Sequence, residues 1–259
     1  MATFLVFASQ TVAVAWASDE LGDSTGSVVI PDGGELAKCS GLFVRDDWFV
    51  TAHHCLLNVS DPTELTIVGS KTYQVIDMVL VQGRDLAFLR VDTDDVEQCI
   101  DFSETTVSQD AGVSVLTRDL MTNAPKTTAM KVNSLHHRTE IEDLDLTSNL
   151  LLLDAPQGEE TVEGDSGAGV VVSHSESGPE LLGVIVGLSQ NGNGVLVEPV
   201  DGVQGSFEFL SGTCSKNYQD FVWKTSSKNA LHYSSESTGF LSVLLLILSS
   251  LGLWNVLFV

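Results

Sequence analysis

Short apolar segments, several of them alternating with polar residues, recur through the central part of the chain and are typical of half-buried β-strands. Turn-forming sequences separate them, among them "RDD" at 45–47, "SGP" at 177–179 and "NGNG" at 191–194. The predicted strands are "GLFV" at 41–44, "WFVTA" at 48–52, "DMVLV" at 77–81, "LAFLRV" at 86–91, "VSVLT" at 113–117, "NLLLL" at 149–153, "GVVVS" at 169–173, "LLGVIVGLS" at 181–189 and "GVLVEP" at 194–199.

Few apolar residues recur at the spacing of three to four positions that a helix requires. The pattern therefore indicates an all-β protein, either a barrel or a sandwich. A first strand is predicted over 24–31, "STGSVVIP". One helix is predicted near the end, where Ser215 can cap "KNYQDFVWK" and place Tyr218, Phe221 and Val222 on one face. At 259 residues the chain is long enough for one large all-β unit or two small domains.

The first residues form an apolar run that ends in Ala15-Trp16-Ala17, a small-x-small pattern suited to signal peptidase. We predict that residues 1–17 are a signal peptide and that the protein enters the secretory pathway. No Lys or Arg precedes Lys38, so the usual basic start of such a signal is missing. A buried N-terminal strand is the alternative interpretation.

The last residues, 239–259, contain no charged side chain and are long enough to cross a bilayer as a helix. No basic residues follow the run, and a polar, Ser-rich spacer at 226–238 precedes it. This order is expected for a GPI-attachment signal, with the anchor near Ser226 and with Ser234 as a second candidate. The alternative is a retained transmembrane span, and both interpretations place the protein at the cell surface.

The chain is strongly acidic, with a formal net charge of −23 at neutral pH. Such a surface repels phosphate backbones, so nucleic acid is excluded as a partner. In a secretory context the cysteines indicate two disulfides, although the sequence leaves three pairings open. The spacing of the cysteines fits no zinc site, and the adjacent histidines His136 and His137 have no third ligand nearby. We therefore predict no metal and no cofactor. Asn58 begins an Asn-Val-Ser sequon and is a candidate glycosylation site.

The sequence "GDSG" at 164–167 places Ser166 between glycines, so a tight turn can present its hydroxyl as a nucleophile. The backbone N–H groups of Gly164 and Ser166 could then bind an oxyanion at one point. Acyl-transfer chemistry also needs a base and a carboxylate that orients it. Taken alone, the four residues fit an ordinary β-turn equally well.

The segment "CSGLFVRDDWFVTAHHC" at 39–55 resembles the histidine region of chymotrypsin-like (trypsin-fold) serine proteases, where a Thr-Ala-x-His-Cys motif closes a hairpin. The likeness assigns the catalytic histidine to His54, which adjoins the cysteine, and leaves His53 as a neighbour. "RDLAFLRV" at 84–91 is similar to the aspartate segment of the family and implies Asp85, while "GDSG" matches the nucleophile motif at Ser166. The order His, Asp, Ser is that of this group.

The resemblance extends to "TCSKNYQDFVWK" at 213–224, which looks like the closing cysteine and helix of the family. It implies two six-stranded antiparallel barrels, the first at about 24–105 and the second, with the C-terminal helix, at about 106–225. It also implies that Cys39 pairs with Cys55 and Cys99 with Cys214.

Two departures from the family concern activation and specificity. In animal relatives, cleavage after a basic residue frees an amino terminus that pairs with the aspartate before the nucleophile, which is Asp165 here. No basic residue precedes Lys38, so this cleavage cannot free such a terminus upstream of the core. The nucleophile motif also ends Gly167-Ala168-Gly169 where most relatives have Gly-Gly-Pro, and no cysteine flanks it, so the substrate pocket is braced differently. Counting back from Ser166 places Glu160, with Glu159 beside it, where the family sets the pocket floor, and an acid there would favour Arg or Lys in the substrate. The alternative is that both belong to a solvated loop. The pocket wall is expected at Val186, Gly187 and Leu188.

These patterns predict a secreted or surface-anchored serine endopeptidase that cleaves protein or peptide substrates, with a preference for Arg or Lys if Glu160 lines the pocket. The alternative from another class is a catalytically silent homologue that binds a partner through the same cleft.

Overall fold

The described residues are mostly β-strand, because short alternating segments place one face of each strand in a core. The computed structural model describes residues 21–32, 35–92, 96, 98–119, 122–141, 144, 146–154, 164–174, 178–189, 192, 194–211 and 214. The strands are β1 (Thr25–Asp32), β2 (Glu35–Phe43), β3 (Trp48–Thr51), β4 (Thr66–Val68), β5 (Thr72–Leu80), β6 (Ala87–Val91), β7 (Gly112–Arg118), β8 (Pro125–Ile141), β9 (Leu146–Asp154), β10 (Gly169–His174), β11 (Gly178–Leu188) and β12 (Gly194–Pro199). Short 3-10 helices lie at Gly22–Ser24, His53–Leu56, Pro62–Glu64, Gln204–Ser206 and Glu208–Leu210.

Several predicted features lie outside the described residues. They are the signal peptide at 1–17, Glu159 and Glu160, the helix after Ser215, the spacer at 226–238 with Ser226, and the tail at 239–259. Among the residues that are described, no helix has the length and apolar character needed to cross a membrane.

The first six strands close into an antiparallel barrel in the order β1-β2-β3-β6-β5-β4, and β4 pairs back with β1. Its interior is filled by inward-facing apolar residues, with Phe43 in edge-to-face contact with Phe49 and Tyr73 at centroid separations of 5.0 and 4.9 Å. Strand β6 is apolar on both faces except at Arg90, because one face lies in the barrel and the other is covered by the rest of the chain. The start of β6 is therefore anchored in the core, and so is the end of β3, with which it pairs.

The other six strands form a second antiparallel sheet in the order β10-β11-β12-β9-β8-β7, whose hydrogen bonding closes into a ring where β10 pairs with β7. Its core is mainly Val and Leu, including Val132, Leu153, Val170 and Val197. Strands β8 and β9 continue beyond the ring as a two-stranded ribbon, along which residues 133–141 alternate between exposed and half-buried. The two predicted six-stranded units are thus present as one barrel and one ring-bonded sheet.

The two sheets are joined by backbone and buried side-chain contacts. Arg118 of β7, only 5% exposed, donates to the carbonyls of Gly22 and Thr25 at 2.5 and 3.0 Å. Leu181 N of β11 donates to Asp101 O at 2.7 Å. Residues 207–210, which follow the second sheet, cover the first barrel where Phe209 stacks on Trp48 with ring centroids 3.8 Å apart. These contacts fix the loops that meet between the two sheets.

Candidate active site

His54 lies just beyond β3, in a 3-10 helix (His53–Leu56) that turns the chain out of the barrel. Asp85 accepts two hydrogen bonds from it: His54 N donates to Oδ1 at 2.8 Å, and Nδ1 lies 2.7 Å from Oδ2. The Asp85 side chain is fully buried, whereas that of His54 is 20% exposed. A carboxylate that holds Nδ1–H fixes the tautomer in which Nε2 carries the basic lone pair, which is the arrangement a general base requires.

Asp85 is held in a tight connection between β5 and β6. Val81 N donates to Leu86 O at 2.9 Å, and Arg84 N donates to Val81 O at 3.3 Å. Leu86 is fully buried, so the residue that follows Asp85 anchors the connection in the core. The aspartate therefore cannot leave His54 without disturbing the start of β6.

Ser166 lies in a tight turn at residues 164–167, called the nucleophile turn below. Gly164 and Gly167 have φ values of 100° and 85°, a left-handed conformation that residues with a Cβ rarely adopt. Gly167 N donates to Ile185 O at 2.7 Å, and Ala168 N donates to Asp165 O at 2.9 Å. The turn is thus fixed to β11 by its own backbone, and the half-buried Asp165 has an interaction partner in the chain.

Buried Ser40 of β2 binds the nucleophile turn at two points. Its N–H donates to Ser166 O at 2.7 Å, and its hydroxyl donates to Gly164 O at 2.8 Å. These bonds fix the carbonyl groups of the two residues that flank Asp165. They join the first barrel, which carries His54, to the second sheet, which carries Ser166.

Gly167 lies directly against the end of β3. A Cβ built at this position would collide with Ser40 O and Thr51 Oγ1 and would lie 3.1 Å from Ala52 N. Ala52 immediately precedes the 3-10 helix of His54, so backbone packing brings the nucleophile turn beside the histidine. The structure therefore places His54, Asp85 and Ser166 on adjoining loops between the two sheets.

The predicted pocket wall lies at the end of β11. The ladder between β10 and β11 ends at Gly169 and Val184, while β11 continues to Leu188. Val186 is the extra residue of a bulge in the ladder with β12, and the side chain of Leu188 is 48% exposed. This end of β11 therefore extends beyond the pairing with β10, next to the nucleophile turn.

Both disulfides implied by the family resemblance are present, Cys39–Cys55 and Cys99–Cys214. The first ties β2 to the residue after His54. Within the described residues, the one group of side chains close enough together to bind a metal ion is Asp46 with Cys99 and Cys214. Both of these sulfurs are bonded to each other in the disulfide. Asn58 is exposed, so the sequon is accessible.

Glu198 of β12 is a part of this region that the sequence analysis did not identify. Its side chain is 2% exposed, and the backbone N–H of Asp85 faces its carboxylate and favours the ionised form. Burial raises the pKa of Glu198 above its ordinary value of 4.5, and the nearby Asp85 raises it further, against the opposite effects of Ser148 and Arg84. A single charge within the apolar strand "GVLVEP" was the available signal.

The architecture is the trypsin-like serine protease fold. The family model described as Trypsin matches residues 22–201, and the chain belongs to that family. No curated protein matched the sequence.

Three solved structures illustrate the similarity of fold. The structure is similar to the Rv3671c protease from M. tuberculosis in its active form, with a TM-score of 0.61 and 17% identity over 75% of this chain and 84% of that one. For the inactive form of that protease the values are 0.56 and 18% over 75% and 92%. For the MamO protease domain from Magnetospirillum magneticum they are 0.55 and 16% over 73% and 98%. At these identities the likeness concerns the fold alone.

Proposed function

We propose that the protein is a serine endopeptidase in which His54, Asp85 and Ser166 form the catalytic triad. The observation that carries the proposal is the buried carboxylate of Asp85, which holds both the backbone N and the Nδ1 of His54 beside the nucleophile turn. A fully buried carboxylate is costly unless it is hydrogen-bonded, and here its bonds all serve to orient one imidazole. This arrangement supports acyl-transfer chemistry over a purely structural role.

In the proposed reaction, the Oγ of Ser166 attacks the scissile carbonyl while its proton passes to Nε2 of His54. Asp85 stabilises the resulting imidazolium through Nδ1–H. The N–H groups of Gly164 and Ser166 bind the oxyanion, and the peptide bond breaks as His54 gives its proton to the leaving amine. Water, deprotonated by His54, then attacks the acyl-enzyme, and collapse of the second tetrahedral intermediate releases the acid and returns the proton to Ser166.

For the substrate, we propose that the backbone pairs with the end of β11 at Val186, Gly187 and Leu188. The support is that β11 runs past the end of its ladder with β10, which leaves a strand edge beside the nucleophile turn. A preference for Arg or Lys through Glu160 remains a proposal from the sequence. Profiling on a peptide library tests it, because a lack of preference for basic residues would remove Glu160 from the pocket.

We also propose that the protein acts at the cell surface. The two disulfides and the exposed sequon at Asn58 are consistent with an oxidising, glycosylating compartment. Treating expressing cells with phosphatidylinositol-specific phospholipase tests the anchor. Release of the protein would support a GPI anchor, whereas retention at the surface would favour a transmembrane span.

The decisive test of the proposed activity is labelling of the intact purified chain with a fluorophosphonate probe. The unmodified protein is expected to label, Ser166→Ala to remain unlabelled, and Asp85→Asn to label about 10³–10⁴-fold more slowly. Ser70→Ala, which changes an exposed serine between β4 and β5, is the matched control and is expected to label normally. An unmodified, folded protein that does not label would overturn the proposal in favour of a catalytically silent homologue.

A further inference from the structure

Glu198 is a buried carboxylate beside the connection that carries Asp85. Ser148 Oγ of β9 donates to its Oε2 at 3.0 Å, Arg84 Nε lies 3.9 Å from its Oε1, and the backbone N–H of Asp85 faces it. All three partners either donate a hydrogen or carry positive charge, so they stabilise the ionised form against the cost of burial.

The consequence for Asp85 is that both sides of it have a fixed partner. Its carboxylate is held by His54, and Arg84, the residue before it, contacts Glu198. Arg84 also donates to Pro199 O at 2.9 Å. The β5–β6 connection of the first barrel is thereby fastened to the end of β12 in the second sheet.

We propose that Glu198 is a positioning residue that holds Asp85 in register with His54 and that its negative charge favours the protonated imidazole of His54. The part that concerns catalysis rests on the proposed function, whereas the effect on the Asp85–His54 pair does not. A negative charge behind Asp85 raises the electrostatic potential energy of that carboxylate, so a proton on the adjoining imidazole is stabilised.

Other charged groups face the same region. A cavity of about 500 Å³ opens onto Glu198, and its other titratable lining residues within the described chain are Arg84, Glu104, His136 and Asp201. The side chain of Asp201 is 80% exposed and 3.7 Å from Arg84, so water screens it. Glu198 is the buried carboxylate of this group and faces the N–H of Asp85, which makes it the group with the strongest coupling to His54.

The test is an NMR titration of the intact chain carrying ¹⁵N-labelled histidine, comparing the unmodified protein with Glu198→Gln. The His54 signals are assigned by their loss in His54→Ala. Glutamine can keep its oxygen toward the Asp85 N–H and turn its amide toward the Ser148 hydroxyl, so the change removes the charge and conserves the contacts. We expect the titration midpoint of the His54 imidazole to fall by about half a pH unit in Glu198→Gln.

Asp201→Asn is the matched control, because it removes an exposed carboxylate beside the same Arg84 and is expected to leave the midpoint unchanged. An unchanged midpoint in Glu198→Gln, or an equal shift in Asp201→Asn, would overturn the electrostatic part of the inference. The NMR readout does not depend on activity. A protein that fails to label with fluorophosphonate therefore refutes the proposed function separately, while the midpoint still decides the role of Glu198.

Positioning is tested by kinetics on active-site-titrated enzyme. Glu198→Ala removes the carboxylate that contacts Arg84 and Ser148 beside Asp85, and it is expected to lower kcat about tenfold or more with little change in KM, because a small misplacement of the base reduces the rate of the chemical step. Glu198→Gln, which keeps an acceptor, is expected to recover most of that loss. Equal losses in the two variants, or a change confined to KM, would overturn the positioning role.

Discussion

Replacing Gly167 by alanine tests whether close backbone packing holds the nucleophile turn beside His54. The residue has a φ of 85°, and an added Cβ would collide with Ser40 O and Thr51 Oγ1. One of these groups is backbone, and the other is a buried hydroxyl that donates to Ser40 O at 2.7 Å. Neither can move without disturbing this hydrogen bond between β2 and β3 of the first barrel.

The expected cost has two parts. A left-handed backbone costs alanine about 1–2 kcal/mol, of which about 0.4–1 kcal/mol is offset by the less flexible unfolded chain. Relief of the collision requires Thr51 to give up its hydrogen bond, and an unsatisfied buried hydroxyl costs about 1–3 kcal/mol more. The central values of these parts add up to a loss of about 3 kcal/mol in the free energy of unfolding for Gly167→Ala.

Urea unfolding followed by tryptophan fluorescence measures this loss, and the fluorophosphonate labelling rate measures the displacement of Ser166. Gly202→Ala is the matched control, because Gly202 has a φ of 71° and a Cβ there would meet nothing within 4 Å. It is expected to lose only about 1 kcal/mol and to label at the normal rate, whereas Gly167→Ala labels about 100-fold more slowly. If the two variants lose equal stability and label alike, backbone packing against β3 is not what positions the nucleophile.

Three further predictions concern stability. Arg118→Met leaves three carbonyls without their guanidinium donor and is expected to lower the free energy of unfolding in urea by about 3 kcal/mol. The control is Arg138→Ala at an exposed position, which is expected to change it by less than about 0.5 kcal/mol. Similar losses in the two variants would contradict the role of the buried arginine. Burial raises the pKa of Glu198, so the unmodified protein is favoured over Glu198→Gln below pH 4.5 and loses that advantage as the pH rises through the raised value. Unfolding curves at pH 4 and at about pH 7 measure the difference, and a pH-independent difference would be the contrary result. The double variant Cys99→Ala, Cys214→Ala removes a disulfide between residues with a sequence separation of 115, which restricts the unfolded chain. Its free energy of unfolding is expected to fall by about 4–5 kcal/mol, and a fall below about 1 kcal/mol would contradict stabilisation through the unfolded chain.

The sequence pattern predicted most strands, because their inward faces are apolar at alternate positions. It did not predict β8, which is 17 residues long, or β4, which has three. The second half of β8 forms the ribbon beyond the ring, where residues 133–141 have no fully buried face and therefore show no apolar alternation. The first strand was expected over 24–31 and is Thr25–Asp32.

At the candidate site, the motif residues were identifiable from local sequence, whereas the residues that support them were not. Ser40 is separated from its partner Gly164 by 124 positions, and Glu198 lies more than 100 positions from Asp85. Ser40 has no local feature that distinguishes it from an ordinary serine, and the one signal for Glu198 is its single charge within the apolar strand "GVLVEP". Such contacts form only when the two sheets pack together, so they leave no recognisable pattern in the spacing of residues along the chain.

The bonds from Ser40 to the nucleophile turn would make the proposed activity depend on the junction between the two sheets. The ladder hydrogen bonds lie within each sheet, so opening of the junction need not break them. The proposed triad would nevertheless be separated, because its base and its nucleophile come from different sides. Circular dichroism reports strand content and would therefore not register a loss of the proposed activity that arises at this junction.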